Sequence, residues 1–398
     1  MYLREFRINW STFLAACLGM GVGSALSHYT SSLFAPAMIE EFGWSKADFA
    51  LLGTLALVNL VFVPMAGRFV DRFGTRISAA IGFTVMPLGY IAFTQMSGSI
   101  GVFFAIYVVQ HIFGILTTTI VFARMIVEKF DTARGFGLSL VLTAAPVFGM
   151  IAVPLLGGLI DTQGWRAGYV ALAAVSAAGG LVSILMMERR TIVTKAEQAA
   201  LQVTRAELVE ILTNRTFLLF LLAMFLVNIP QSFPYAQLKL VLMHGGLDGE
   251  TATWMVSLYA GGVIVGRLLS GLALDRIAPH IVAMAVLGTP AIGYALLAAE
   301  VTALPLVFLA IGVIGFAQGA ETDIGAFLLS RRFDPKHFSL LIAMMSAMVG
   351  LGGAIGSLAM SFALRTTDSY VPFLLFAGGG TIVGAVLFAL VGRPGKQA

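Results

Sequence analysis

The chain has 398 residues, 59% hydrophobic and 11% charged, with a formal charge of +4 and a mean hydropathy of +0.93. A soluble domain needs a charged surface, and this composition does not supply one, so a water-soluble enzyme or binding module is excluded. Apolar runs of 18 residues or more, each long enough to cross the hydrocarbon of a bilayer as a helix, recur from end to end.

Twelve such runs follow in order, roughly at 10–37, 47–66, 77–96, 100–127, 135–160, 167–187, 216–239, 252–274, 281–299, 304–330, 338–364 and 371–391. The expected fold class is all-α, a polytopic membrane protein with twelve transmembrane helices. With a cytoplasmic N-terminus, 18 of the 24 Lys and Arg fall in inner segments, four (Lys46, Arg166, Lys239, Arg365) fall outside, and Arg124 and Arg267 fall within helices. That positive-inside bias puts both termini in the cytoplasm. The basic balance is therefore topological, and nucleic acid is not an expected partner. The bilayer is.

The first run turns polar at Ser24, Ser27, His28 and Tyr29. Cys17, the single cysteine, sits in LAAC (14–17), which has the look of a lipoprotein cleavage site. The stretch before it is broken by Asn9, Ser11 and Thr12 and the helix continues past it, so it reads as a small residue in a packed helix. One cysteine allows no intramolecular disulfide, and no metal or other cofactor is expected.

After the second run the chain reads GRFVDRFGTR, residues 67–76. Gly67 is expected to let helices approach, and Gly74 to permit a tight turn. Asp71, Arg72 and Arg76 place fixed charges at the cytoplasmic surface, where they can pair with a helix end and latch one conformation. In the fourth run His111 is a candidate anion or proton contact, beside the bland alternative of a packing residue. Arg124 precedes Glu128 by four residues, which an i, i+4 pair explains.

Residues 188–214 form the longest polar stretch and suggest an amphipathic surface helix joining two domains, 1–187 and 215–398. The halves match at a nearly constant offset. STFLAACLGM (11–20) aligns with RTFLLFLLAM (215–224), Asp71-Arg72 with Asp275-Arg276, and EKFD (128–131) with RRFD (331–334). Parallel repeats of this kind put a substrate site near the bilayer midplane and imply alternating access.

The seventh run carries VNIPQSFPY (227–235), where two prolines predict a broken helix with exposed carbonyls. At an offset of 204, its Asn228 and Gln231 match Ser24 and Ser27, so His28, Tyr29, Asn228 and Gln231 are candidate lining residues. Arg267 in the eighth run lies eight residues before Asp275, about 12 Å inside the cytoplasmic edge. A charge at that depth must face a cavity or a partner, and a guanidinium suits a carboxylate bidentately. In the tenth run Glu321 and Asp323 sit at i and i+2 and point about 200° apart, so only one can meet Arg267. Either is a candidate proton carrier.

GRFVDRFGTR, with Gly67, Asp71, Arg72, Gly74 and Arg76, resembles the signature loop of the major facilitator superfamily, and the degenerate copy keeps Gly271, Asp275 and Arg276. EEFGWSKADFALLGTL (40–55), FARMIVEKFDTARGFGLSL (122–140), GWRAGY (164–169), GRLLSGLALDR (266–276) and GAETDIGAFLLSRRF (319–333) are similar to its monocarboxylate and oxalate–formate branch. The resemblance implies that Arg267 binds the substrate carboxylate. It departs from animal monocarboxylate carriers at Val263, where they place an aspartate, and in lacking their helix 1 motif.

The expectation is a secondary transporter, a monomer in a bacterial inner membrane, moving a small organic anion with protons. A proton-driven exporter of drugs or metabolites is the alternative. PLLGG (154–158) favours it, but Val153 replaces the glycine expected before Pro154. No Cys/His cluster, GxSxG or HExxH supports an enzyme.

Overall fold

The computed structural model describes residues 2–188, 210–333 and 337–392. Among them twelve helices are long and apolar enough to span a membrane: α1 Trp10–Phe42, α2 Lys46–Phe73, α3 Thr75–Thr94, α4 Ile100–Lys129, α5 Arg134–Gln163, α6 Trp165–Met186, α7 Arg215–His244, α8 Gly249–Leu274, α9 Pro279–Ala298, α10 Leu304–Arg332, α11 Leu340–Thr367 and α12 Val371–Val391. Outward side chains such as Leu155 and Phe362, each 70% exposed, form the apolar exterior that lipid requires. The polar stretch read as a surface helix falls mostly outside the described residues.

Several helices run past their apolar cores, because a helix satisfies its own backbone on leaving the hydrocarbon. Helix α2 continues through Asp71 and Arg72, and the turn into α3 is Gly74 alone, at φ +84°. The expected close approach at Gly67 is not seen: a Cβ there would meet nothing within 4 Å. Lys239, expected outside, lies within α7 and is only 3% exposed.

Contacts divide the chain into two compact units, Met1–Ser45 with Val58–Val193, and Lys46–Leu57 with Thr194–Ala398. The first turns of α2 thus belong with the second unit, where a division at the polar stretch alone would place them in the first. Their anchors are specific. Gln237 Nε2 donates to Lys46 O at 2.9 Å, Tyr370 donates to Gln237 Oε1 at 2.8 Å, Ser357 donates to Ala50 O, and Arg365 pairs with Asp48 at 2.6 Å.

In the first unit α1 is interrupted at Gly23, whose backbone is extended; a Cβ there would lie 2.6 Å from Thr117 O. Helix α4 breaks where the two meet, tightening over Ile115–Thr117 before Thr118 turns extended. The Thr117 hydroxyl accepts from the Ser24 N–H at 2.8 Å and donates to Gly114 O at 2.8 Å, satisfying groups that the breaks set free. In the second unit α7 loses its regular ladder over Ile229–Gln237, around Pro230 and Pro234, then resumes at Leu238.

Candidate functional site

The geometry of the site starts with glycine. Helices α8 and α10 touch backbone to backbone along Gly262 and Gly266 on one and Gly315 and Gly319 on the other. A Cβ at Gly266 would lie 1.9 Å from Phe316 O, and one at Gly319 would lie 2.0 Å from Val263 O. Small residues spaced by four are how membrane helices reach this closeness. Arg267 follows Gly266 directly, and Asp323 lies one turn past Gly319, so the crossing that needs these glycines also sets the distance between the two charges.

Arg267 Nε donates to Asp323 Oδ2 at 3.1 Å, and the side chains are 17% and 33% exposed. Of the two carboxylates, Asp323 is the one that meets the arginine. Glu321 points the other way, into the interior of the second unit, and is 5% exposed. There it lines a small cavity with Gln318 on its own helix, Tyr294 and Pro290 on α9 and Thr381 on α12. Asn228 lies beside the Glu321 carboxyl. It is fully buried, donates to Met224 O at 2.9 Å, and leaves Oδ1 without a partner. Asn228 is thus a bundle-interior group. Gln231 is half-buried and faces Gly353 of α11.

In the first unit His28 and Tyr29 are half-buried, with rings edge to face at 5.4 Å. Tyr29 packs where α5 presents Gly149. His111 is half-buried, and its Nε2 is a buried nitrogen with no hydrogen-bond partner. Ser27 shares a 2.6 Å hydrogen bond with Tyr90, and Ser31 a 3.2 Å one with Tyr107. These serines tie α1 into its own unit.

Beside the turn from α2 into α3, Asp71 accepts from Arg124, whose Nε also donates to Glu128 at 3.0 Å. The i, i+4 pair expected for Arg124 is present, and Asp71 is its second partner. The Arg72 guanidinium sits 5.2 Å from the Phe73 ring centre, and Arg76 is half-buried. Among the described residues no group of three His, Cys, Asp or Glu is arranged to hold a metal.

The family model of the Major Facilitator Superfamily matches residues 12–245 and 234–398. The chain belongs to the major facilitator superfamily. Among curated relatives, it is 22% identical to monocarboxylate transporter 13 of Rattus norvegicus over 384 residues, 92% of this chain and 88% of that one. Monocarboxylate transporter 11 of Homo sapiens is 25% identical over 277 residues, 67% of this chain and 56% of that one. The transporter YycB of Bacillus subtilis (strain 168) is 23% identical over 355 residues, 87% of this chain and 85% of that one. Among solved structures, the nucleoside transporter NupG matches with a TM-score of 0.73 at 15% identity, covering 98% of this chain and 99% of that one. A D-xylose-proton symporter matches with a TM-score of 0.72 at 15% identity, covering 98% and 97%. These neighbours establish the fold. The protein is a multi-pass transporter of this superfamily and not an enzyme.

Three site residues carry no motif in the sequence: Tyr294, Gln318 and Thr381. The glycine stripe GGVIVG (261–266) against GVIGFAQG (312–319) was the available signal for the close α8–α10 crossing, and with it for the Arg267–Asp323 pair.

Proposed function

We propose that this member of the superfamily is a proton-coupled symporter of a small organic anion, a monocarboxylate or an aromatic acid, working by alternating access. The observation that carries the reading is the Arg267–Asp323 pair, a guanidinium deep in a membrane helix paired with a carboxylate that is one-third exposed. The similarity to proteins named monocarboxylate transporters supports it.

In this reading the substrate carboxylate takes the place of Asp323 on the Arg267 fork. Asp323 is then an unpaired charge inside the span, and binding one proton removes it. Anion and proton cross together, with the arginine neutralised at each stage. His28, Tyr29, His111 and Gln231 remain candidates for substrate contact; Asn228, buried in the bundle, is not proposed as one. The segment holding Gly67, Asp71, Arg72, Gly74 and Arg76 acts as the conformational latch through Asp71 and Arg124. We place the protein as a monomer in a bacterial inner membrane with both termini in the cytoplasm, from its charge asymmetry.

Thermal unfolding of the purified protein with a panel of carboxylates tests the anion site. Small carboxylates should raise the midpoint of the wild type and leave Arg267→Ala unmoved. Stabilisation only by neutral or cationic compounds would overturn the reading.

A further inference from the structure

The organic-anion reading makes no use of the chain ahead of α1. A short helix, Tyr2–Ile8, precedes it, and Asn9 alone separates the two. Helical hydrogen bonding passes through that residue: the Asn9 N–H donates to Glu5 O and the Phe13 N–H to Asn9 O, both at 3.0 Å. The short helix is thereby fixed to the start of the first span.

Its two sides differ. Glu5, Phe6 and Asn9 share one side, at the spacing of adjacent turns. Glu5 accepts from the N–H groups of Asp131 at 2.5 Å and Ala133 at 2.7 Å, and Asn9 Nδ2 donates to Lys129 O at 3.0 Å. The Phe6 ring meets Phe13 and Phe130 edge to face, each at 5.0 Å. That side is pinned to the turn between α4 and α5. Arg4, Arg7 and Ile8 occupy the other side, and all three are exposed, Ile8 at 68%. Trp10 follows at 57%. Among the described residues no carboxylate pairs with either guanidinium. Glu5 faces the turn, Asp131 lies 3.7 Å from Arg134, and Glu188 lies 2.7 Å from Lys129.

Two cations beside an exposed isoleucine and tryptophan match the chemistry of a membrane surface. A tryptophan exposed where a span begins belongs to the interface. Arg7 and Arg4 lie about 5 and 9 Å beyond Trp10, at ~1.5 Å per residue. The headgroup layer on each side of the hydrocarbon is about 5–8 Å deep. Both guanidinium groups therefore reach the lipid phosphates, whose oxygens suit a planar fork. Ile8 and Trp10 sit against the acyl chains below.

We propose that Arg4 and Arg7 form a binding surface for anionic phospholipid, with Ile8 and Trp10 as its apolar edge. Because the opposite side of the helix is pinned to the α4–α5 turn, lipid held there stabilises the first unit. The surface does not depend on the anion at Arg267.

The test uses purified full-length protein in neutral detergent with no organic acid present. Thermal unfolding is followed as phosphatidylglycerol or phosphatidylcholine is added in mixed micelles. The wild type should be stabilised at a lower content of phosphatidylglycerol than of phosphatidylcholine. A basic residue near an anionic surface is worth about fivefold in binding, so Arg4→Gln and Arg7→Gln should each raise the half-saturating phosphatidylglycerol content by about that factor. The double glutamine variant should lose the preference, and the double lysine variant, which keeps both charges, should retain it. Equal responses of the wild type to the two lipids would overturn the proposal, as would a preference that survives in the double glutamine variant. Glycerol 3-phosphate should not stabilise the protein at the same concentration; if it does, a soluble anion occupies the site and the proposal falls. If the double glutamine variant fails to fold, salt carries the test on the wild type. The preference should shrink as salt rises from about 0.05 to 0.5 M, and a preference indifferent to salt also overturns it.

Discussion

The contact between α8 and α10 should be the least forgiving place in the second unit, and Gly266→Ala probes it with one methyl group. The added Cβ would stand 1.9 Å from Phe316 O, whereas ordinary contact begins near 3.4 Å. The obstacle is backbone, so no rotamer change relieves it. The helices must part locally by the shortfall, about 1.5 Å, or the substituted turn must distort. Overpacking of a close-packed interior costs about 1–3 kcal/mol, and two helix backbones in contact belong at the upper end. In a unit of this size the unfolding midpoint should fall by roughly 3–10 °C. Parting the helices also lengthens the 3.1 Å contact between Arg267 and Asp323, so stabilisation by carboxylates should weaken as well. Gly271→Ala on the same helix is the control, because a Cβ there meets nothing within 4 Å. Relief of glycine's backbone entropy should make that variant neutral or more stable by up to about 1 kcal/mol. The assay is thermal unfolding of both variants in the same detergent, with and without ligand. Equal midpoints for Gly266→Ala and Gly271→Ala would refute the reasoning, and with it the role given to the glycine stripe.

Removing Arg267 alone should destabilise more than removing it together with Asp323, because the single change strands a carboxylate in the span. A double-mutant cycle with Arg267→Gln and Asp323→Asn should give a coupling of about 1–3 kcal/mol for this partly exposed pair, and additive effects would show the contact to be energetically idle. The Glu5 carboxylate accepts from the backbone N–H groups of Asp131, at 2.5 Å, and Ala133, at 2.7 Å, and these hold it below its ordinary value of 4.5. A depressed carboxylate contributes stability above its unfolded value and loses it as pH falls through the folded one. The advantage of wild type over Glu5→Gln should therefore be full at pH 7 and shrink only below about 4.5; a gap that widened on acidification would contradict this. Arg124→Lys keeps the charge but cannot serve Asp71 and Glu128 with one planar fork, so it should lower stability by about 1 kcal/mol at most, given partial exposure. Asp71→Asn should then reduce the difference between Arg124 and its lysine variant in the same unfolding assay.

Much of this arrangement is written in periodicity, and that part was legible. Twelve apolar runs and the prolines of VNIPQSFPY gave the helices and the break in α7 from local chemistry alone. The 200° separation of Glu321 and Asp323 required that they face different surroundings, but which of them met Arg267 depended on how α8 and α10 pack. Local pattern was silent wherever a partner lies far along the chain. Thr117 terminates a helical stretch because α1 presents Gly23 to it, and nothing near residue 117 signals that. Lys239 read as an outer loop charge because the apolar run ends there, whereas the resumed α7 carries it inward. Asp71 was expected to pair with a helix end, but nothing near it names the partner, the side chain of Arg124 53 residues later. Gly67 failed for the opposite reason: a small residue permits an approach without requiring one.

The central claim is that an anion and a proton cross together by way of Arg267 and Asp323. It is tested most directly with the purified protein in liposomes carrying a pH-sensitive dye, under an inward gradient of a carboxylate that stabilises the protein. The account predicts that the lumen acidifies as the carboxylate enters, and that the acidification is lost in both Arg267→Ala and Asp323→Asn. Carboxylate uptake with no change in luminal pH, or protons leaving as the anion enters, would contradict it.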